Sequence, residues 1–509
     1  MSLAEQIPYV LLVLLVALFT VSAFGVASVR HQSFATFTDL GIYEQELWTT
    51  LNGELWGASS AYSVFDLNSF RGSENWTSIS WSAYHPTKNG FGIHFNPAML
   101  LLVGPFYVFY PSALTLLFVQ VLALGLAAVV LFRIAEKELS NPWWGVVFAA
   151  AFLVNPALWG IALADFHTLA LGVPFFFLVY YFASQKNAPG LLASVVVAIL
   201  IEEVVGFIVA SIGLYFILSR RWMKAGLAVL VGGVLASFAG IQFIIPVFNQ
   251  VGYYFVGYYA YLGGSIPDIL ITILTRPDFV LENLFTASKL EYLFQLFAGT
   301  GFLALFDPLA LLNAGANLFQ NLLRNNAAQQ IMWGQYNSGV LPGLFIAAVL
   351  GLKNILSAFR WALTELKVTL FFNKVLGFLL AGILIASMLF ATTSYSLFPL
   401  FSLLDKPALL GASFFSVSPD DVASENLLAQ IPHDASVSVY DNALPHVAQR
   451  KELYMFPVNY DRVDYVVMGT GVEWYLTPEQ HEFFVSKLNT SNYSLFGASN
   501  RLVVFKRNK

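Results

Sequence analysis

The stretch SALTLLFVQVLALGLAAVVLFR, residues 112–133, decides the fold. It carries no ionisable side chain before Arg133, and its length matches the run of about 20 apolar residues that crosses a bilayer as a helix. Comparable stretches recur at about 8–29, 141–159, 166–185, 224–247, 289–306, 338–352 and 371–391, bounded by charges, Pro and Gly. The first is too long and too apolar for a cleaved signal peptide and is expected to stay as a membrane helix. Residues 95–111 are split by Gly104-Pro105, which predicts a broken or re-entrant segment. Residues 189–218 are interrupted by Glu202-Glu203 and predict two short helices, and 308–323 a further short one. The sequence therefore predicts an α-helical polytopic membrane protein with about 11–13 membrane-embedded segments.

Composition agrees. Of 509 residues 58% are hydrophobic and 11% charged, where soluble proteins carry roughly 25% charged residues. The mean hydropathy is +0.68. A net charge of −5 without a basic stripe excludes a nucleic-acid partner. The absence of cysteine excludes disulfides, thiolate metal sites and cysteine nucleophiles.

Lys and Arg near helix ends mark the cytoplasmic side. Arg133, Lys137, Lys186, Arg220, Arg221, Lys224, Lys353, Arg360, Lys367 and Lys374 fall on one set of connections. The other side receives the long loop 30–94, the turn 160–166, the segment 248–288 and the tail. The expected organisation is a membrane domain, 1–391, and an extracytoplasmic α/β domain, 392–509, in the plasma membrane. Loop 30–94, with Trp48, Trp56, Trp76 and Trp81, is expected to lie at headgroup level. In the tail, 419–430 suits a helix, and 436–440, 464–468 and 502–506 suit strands.

An ionisable group inside a membrane segment is costly unless it is paired or faces water, so such residues mark candidate chemistry. Asp39 follows the first span, His94 and Asn96 lie in FGIHFNP (91–97), Asp165 and His167 open another span, and Glu202-Glu203 break a helix pair. Asp39, His94, Asp165 and His167 could together hold a divalent cation (Mg or Mn), or serve as base and orienter. Plainer readings compete: Asp39 as N-cap of a helix 40–51, Asp165 as cap of the next helix, His94 and Asn96 as interface residues, and the glutamates as a structural pair. In the tail, Asp441, Asn442, His446 and Arg450 read as a solvated loop or as an acceptor contact.

FTDLGIYEQELW (37–48), FGIHFNP (91–97), DFH (165–167), YLGG (261–264), QYNSGVLP (335–342) and NALPH (442–446) together resemble a prokaryotic family of predicted polytopic membrane proteins of unknown function, placed in the GT-C superfamily of membrane glycosyltransferases. The resemblance implies a GT-C-like fold. It also implies transfer of a sugar from a polyprenyl-phosphate donor to a glycan, lipid or protein acceptor on the outer face. Asp39 stands where the superfamily has its catalytic acidic residue, acting as base or metal ligand. Glu44, His94, Asn96, Glu202 and Glu203 would then serve substrate binding. Ile201-Glu202-Glu203 departs from the family's expected Lys-Glu-Asp-like triplet, leaving Arg276, Lys289 or Arg324 as outer-side cations for the carrier phosphate. An ion-coupled transporter or lipid-linked substrate flippase is the alternative reading.

Overall fold

The structure is a computed structural model that describes residues 3–64, 89–249, 252–325, 329–365, 416–490 and 492–508, with three isolated positions between 375 and 382. The predicted span 371–391, the domain boundary at 391/392, and Trp76 and Trp81 lie outside the described residues.

The deciding stretch forms one helix, Ala113–Leu139, whose start is set by Ser112: its side chain accepts from the Leu114 amide. With it, Glu5–Gln32 (the core of α1, Leu3–Gln32), Met223–Phe248 and Val340–Trp361 are long and apolar enough to cross a membrane. The predicted span 141–159 is instead a bent pair, Pro142–Leu153 and Pro156–Leu163, at 52°. The cause is the dipeptide Asn155-Pro156: proline opens a helix readily but cannot continue one, and Asn155 caps the new start by accepting from the Ala157 amide. The two breaks read from the sequence are present, at Ala98–Leu102/Gly104–Phe109 and at Ala188–Ile199/Val205–Leu218. The stretch 289–306 falls short of a span, because helix Ala287–Ala298 ends at Gly299.

Helices Val205–Leu218 and Met223–Ala239 form a tight hairpin through small residues. A Cβ on Gly206 would stand 2.2 Å from the Gly233 carbonyl oxygen, and one on Gly213 2.6 Å from that of Gly226. Such close backbone approach is how small residues pack helices where lipid offers no hydrophobic driving force. The hairpin holds Glu202-Glu203 at its open end, where a π-helical turn, Gly240–Ile244, passes the Glu203 side chain.

The two ends of the helical body differ in chemistry. At one end Glu138 accepts from Arg221 (Nη1, 2.8 Å) and Lys353 (Nζ, 2.7 Å), tying helices Ala113–Leu139 and Val340–Glu365 to the turn before Met223–Ala239. The other end carries Asp39, His94, His167, Glu202 and Glu203, and on it sits the C-terminal domain. That domain is a five-stranded sheet in the order β2-β1-β3-β5-β4. Its strands are β1 (Val437–Val439), β2 (Leu453–Met455), β3 (Tyr465–Gly469), β4 (Tyr493–Ala498) and β5 (Leu502–Arg507). β1 pairs in parallel with β2 and β3, and β5 runs antiparallel to β3 and β4. Helices Pro419–Leu428 and Pro478–Thr490 complete it around a core that includes Val437, Val466, Phe484 and Val504.

The described part of loop 30–94 packs against the C-terminal domain. It forms α2 (Thr38–Leu51) and a short segment that seals edge strand β2. The Leu453 and Met455 amides donate to the hydroxyls of Ser59 (3.0 Å) and Ser63 (2.7 Å). Satisfying an edge with side-chain acceptors removes a template for aggregation. Trp56 is buried, stacked on Phe91 at 4.4 Å, with Nε1 donating to Asn96 Oδ1 at 2.7 Å.

Because the parent chain lacks cysteine, single cysteines report sidedness cleanly. Ser486→Cys and Lys224→Cys occupy exposed positions at opposite ends of the molecule. An impermeant thiol reagent on intact cells is expected to modify one and spare the other until the membrane is opened. Equal labelling of both would contradict the arrangement.

Candidate active site

α2 starts with its first turn held from outside. Its N-cap is Phe37, which offers no side-chain cap. The Phe37 amide donates to Asp165 Oδ2 (2.7 Å) and the Thr38 amide to Asp441 Oδ1 (2.8 Å). Asp39 therefore sits inside the first turn and is not the cap; Asp165 caps this helix start rather than that of its own segment. From there helical geometry decides which residues meet. Positions 39, 42, 43 and 46 share one face, and Asp39, Ile42, Tyr43 and Glu46 all line a cavity of about 590 Å³. Glu44, a candidate from the sequence, points about 200° away from Glu46 around the helix and accepts from Tyr107 and Gln449 outside the cavity. Glu46 was missed; its signal was the helical spacing 39–43–46.

One oxygen of Asp39 meets His167 Nε2 at 3.1 Å, while His167 Nδ1 meets the Asp165 carbonyl oxygen at 2.8 Å. Both ring nitrogens face acceptors, an arrangement that favours the doubly protonated ring. Asp39 Oδ1 has no hydrogen-bond partner among the described residues, and its side chain is 57% exposed toward the cavity. The protein around the cavity disfavours a charge there. His167, by hydrogen bond and charge, and His94 more remotely, outweigh that and hold the Asp39 pKa below 3.8. Burial acts against the His167 proton too, but Asp39 and Asp165 raise its pKa above 6.5.

A second cluster lies beside the first. His94 Nδ1 is 3.1 Å from Glu203 and 3.3 Å from Glu202. Burial would lower the His94 pKa, yet the two carboxylates push it up to about 9. Glu203 also accepts from the Tyr253 hydroxyl (2.8 Å) and the Phe95 amide (3.1 Å). Asn96 is fully buried and outside the cavity lining; it bridges Trp56 and Glu46.

The four residues suggested for a cation do not gather as one set. Asp39 pairs with His167, His94 with the glutamates, and Asp165 turns toward Phe37, where burial pushes its carboxyl up to about 7 despite the nearby Arg30 charge. Among the described residues, the group able to hold a metal ion is His94, Glu202 and Glu203, with ligand atoms within 4.8 Å of one another.

Of the three candidate cations only Arg324 lines the cavity. Its guanidinium stacks over Tyr258 at 3.8 Å and faces Tyr336 at 5.7 Å, and among the described residues no carboxylate pairs with it. Its Nε is buried without a hydrogen-bond partner. Arg276 is drawn instead over the Phe279 ring at 4.8 Å, and Lys289 donates to the Asn283 carbonyl at 2.6 Å. The lining also has an apolar part, with Phe207, Ile241, Ile266, Leu270 and Phe319, and a row of amides, Asn317, Gln320, Asn321 and Gln335.

The tail's polar run is neither a solvated loop nor part of the cavity lining. Asn442 donates to the Thr36 carbonyl (3.1 Å), Arg450 to backbone carbonyls of its own domain, and His446 stacks on Phe34 at 3.9 Å.

The chain belongs to the family described as "Predicted membrane protein (DUF2079)", which matches residues 30–503. No curated protein matches it. Among solved structures it is similar to ArnT from Cupriavidus metallidurans bound to undecaprenyl phosphate, with a TM-score of 0.51 at 14% identity over 96% of this chain and 97% of that one. The apo state of the same protein gives 0.47 at 14% identity over 92% of each chain. The likeness is one of fold: this is a membrane protein with an ArnT-like, mostly helical fold and a small C-terminal α/β domain.

The pKa directions fix a pH dependence. A lowered Asp39 keeps its charge until pH falls through a value below 3.8, and a raised His167 keeps its proton until pH rises through a value above 6.5; the pair is intact between. His167→Gln removes the charge that offsets burial of Asp39. The acid limb of any activity that needs the Asp39 carboxylate is expected to move to higher pH, read from a kcat/KM profile. An unmoved limb would show that His167 does not tune Asp39.

Proposed function

We propose that this family member transfers a sugar from a polyprenyl-phosphate donor to an acceptor hydroxyl, with Asp39 as the base. The observation that carries the reading is the cavity's polarity. A carboxylate held on one oxygen by His167 has its other oxygen without a partner among the described residues, and the same cavity is lined by an arginine with no carboxylate partner among them. In the reaction the acceptor oxygen bonds to the anomeric carbon as its proton passes to Asp39. The bond between that carbon and the phosphate oxygen breaks, and the polyprenyl phosphate leaves with the electron pair. Charge grows on that phosphate, and Arg324 is the cavity cation able to meet it. The apolar lining from Phe207 to Phe319 suits the first isoprene units, whose remainder stays in the bilayer. The solved neighbour of the same fold is bound to undecaprenyl phosphate, which supports this class of ligand.

A divalent cation, Mg or Mn, would be held by His94, Glu202 and Glu203, a donor set of one imidazole nitrogen and two carboxylates that suits such an ion. Bound there, it would supply charge neutralisation for the phosphate. These residues already satisfy one another through the His94 proton, and the acid–base role of Asp39 stands without the ion.

The basic end, with Glu138 bound by Arg221 and Lys353, favours a cytoplasmic placement. The cavity and the C-terminal domain then face outward from the plasma membrane. Nothing in the cavity favours the transporter reading. A cavity that combines a cation without a carboxylate partner among the described residues with an open carboxylate oxygen fits an anionic sugar donor.

Polyprenyl-phosphate sugars screened against the purified protein, with release of lipid phosphate as readout, should identify a donor. On that donor Asp39→Asn is expected to lower kcat by ~100-fold or more with little change in donor binding. Arg324→Gln is expected to lower kcat/KM on a similar scale, roughly 100-fold. Near-wild-type turnover by Asp39→Asn would remove Asp39 from the chemistry.

A further inference from the structure

The helix that carries Asp39 is capped by a residue from the other end of the chain. The N-terminal N–H groups of a helix have no partners within it, and a side chain just before the helix normally accepts from one of them. Phe37 cannot do so. Asp441 of the C-terminal domain takes the role: its Oδ1 accepts from the Thr38 amide at 2.8 Å and also from the Thr38 hydroxyl. Its Oδ2 accepts from Trp474 Nε1 at 2.7 Å, which aims the carboxylate. Asp441 and Thr38 are both buried. The neighbouring contacts make this a fitted joint. Asn442 Nδ2 donates to the Thr36 carbonyl at 3.1 Å, and a Cβ on Gly41 would stand 2.3 Å from Leu444 Cδ2 and 3.0 Å from the Pro445 Cα. The second of these is backbone and cannot swing aside, so glycine at 41 is what lets the domain sit directly on the first turn.

We propose that Asp441 is a positioning residue: by capping α2 from the C-terminal domain it sets where the Asp39 carboxylate stands relative to His167, so that neither domain forms the site alone. The consequence for transfer rests on the reading of Asp39 given above; the hold on α2 does not. A cap shifts the helix start by fractions of an ångström, and misplacing a reacting group costs rate more than binding.

The test uses the full-length protein in detergent or nanodiscs, with Asp441→Ala, Asp441→Asn and Trp474→Phe. Hydrogen exchange of the Thr38–Leu40 amides needs no substrate. Asp441→Ala is expected to speed it roughly 5-fold, the scale of a lost helix cap, while the sheet core around Val466 stays protected. Asp441→Asn keeps the acceptor oxygen for Thr38 but turns an NH2 toward the Trp474 N–H, so it should restore most of the protection only when combined with Trp474→Phe; Trp474→Phe alone, which loses only the aiming donor, should fall between wild type and Asp441→Ala. On the donor found by the screen, Asp441→Ala should lower kcat roughly 10-fold with KM nearly unchanged, and Asp441→Asn combined with Trp474→Phe should recover most of it. Unchanged exchange at the first turn of α2 would overturn the hold itself. Faster exchange with undiminished kcat would overturn the positioning role. Equal losses in Asp441→Ala and in the Asp441→Asn/Trp474→Phe pair would also overturn it, because a cap tolerates asparagine. Turnover that survives Asp39→Asn would instead fault the transfer reading and leave the exchange result standing.

Discussion

Two backbone N–H groups, those of Phe37 and Thr38, give themselves to carboxylates far away in the chain, Asp165 and Asp441. The candidate site depends on these two bonds. They fix the start and rotation of α2 against a membrane helix pair on one side and a sheet domain on the other. Rotation then decides chemistry: with 3.6 residues per turn, the face that shows Asp39, Tyr43 and Glu46 to the cavity turns Glu44 away from it. A small change in that rotation would exchange which carboxylates face the ligand.

The cavity solves a charge problem that a membrane protein cannot leave open. Carboxylates out of bulk water are expensive unless paired, and here three are matched to an imidazole while Glu46 accepts from the Asn96 amide. Asp39 has His167; Glu202 and Glu203 share His94. Among the described residues Arg324 meets aromatic faces and no carboxylate, and such faces attract a cation but do not neutralise it. Among the described cavity residues this leaves a positive group in want of an anion, which is the property a phosphate ligand requires.

Much of the fold was legible because its cause is local. Apolar length announces helices such as Ala113–Leu139, and Gly104-Pro105 and Glu202-Glu203 announced breaks that are present. The bend at Asn155-Pro156 had a visible signal in proline and was read through as one span. Strands β2 and β4 were not foreseen, since three residues of β2 and the mixed burial of β4 show no clear alternation. At the site, Asp39, His94, His167 and the glutamates could be named as costly polar residues, and they do line or adjoin one cavity. Their partition into an Asp39–His167 pair and a His94–Glu202–Glu203 cluster could not be read, because it depends on tertiary placement. Nor could the role of Asp441, whose partner lies about 400 residues away; a buried aspartate in a polar run looks the same in sequence whether it meets water or a helix end.

The central claim is that this cavity receives a polyprenyl phosphate with its phosphate at Arg324 and its sugar at Asp39. A cryo-electron microscopy structure of the protein in nanodiscs containing undecaprenyl phosphate tests it most directly. The account predicts phosphate density within hydrogen-bond reach of the Arg324 guanidinium, with the first isoprene units against Phe207 and Phe319 and open space left beside Asp39 Oδ1. An empty cavity at saturating lipid, or a phosphate seated away from Arg324 at the Glu138 end of the bundle, would contradict it.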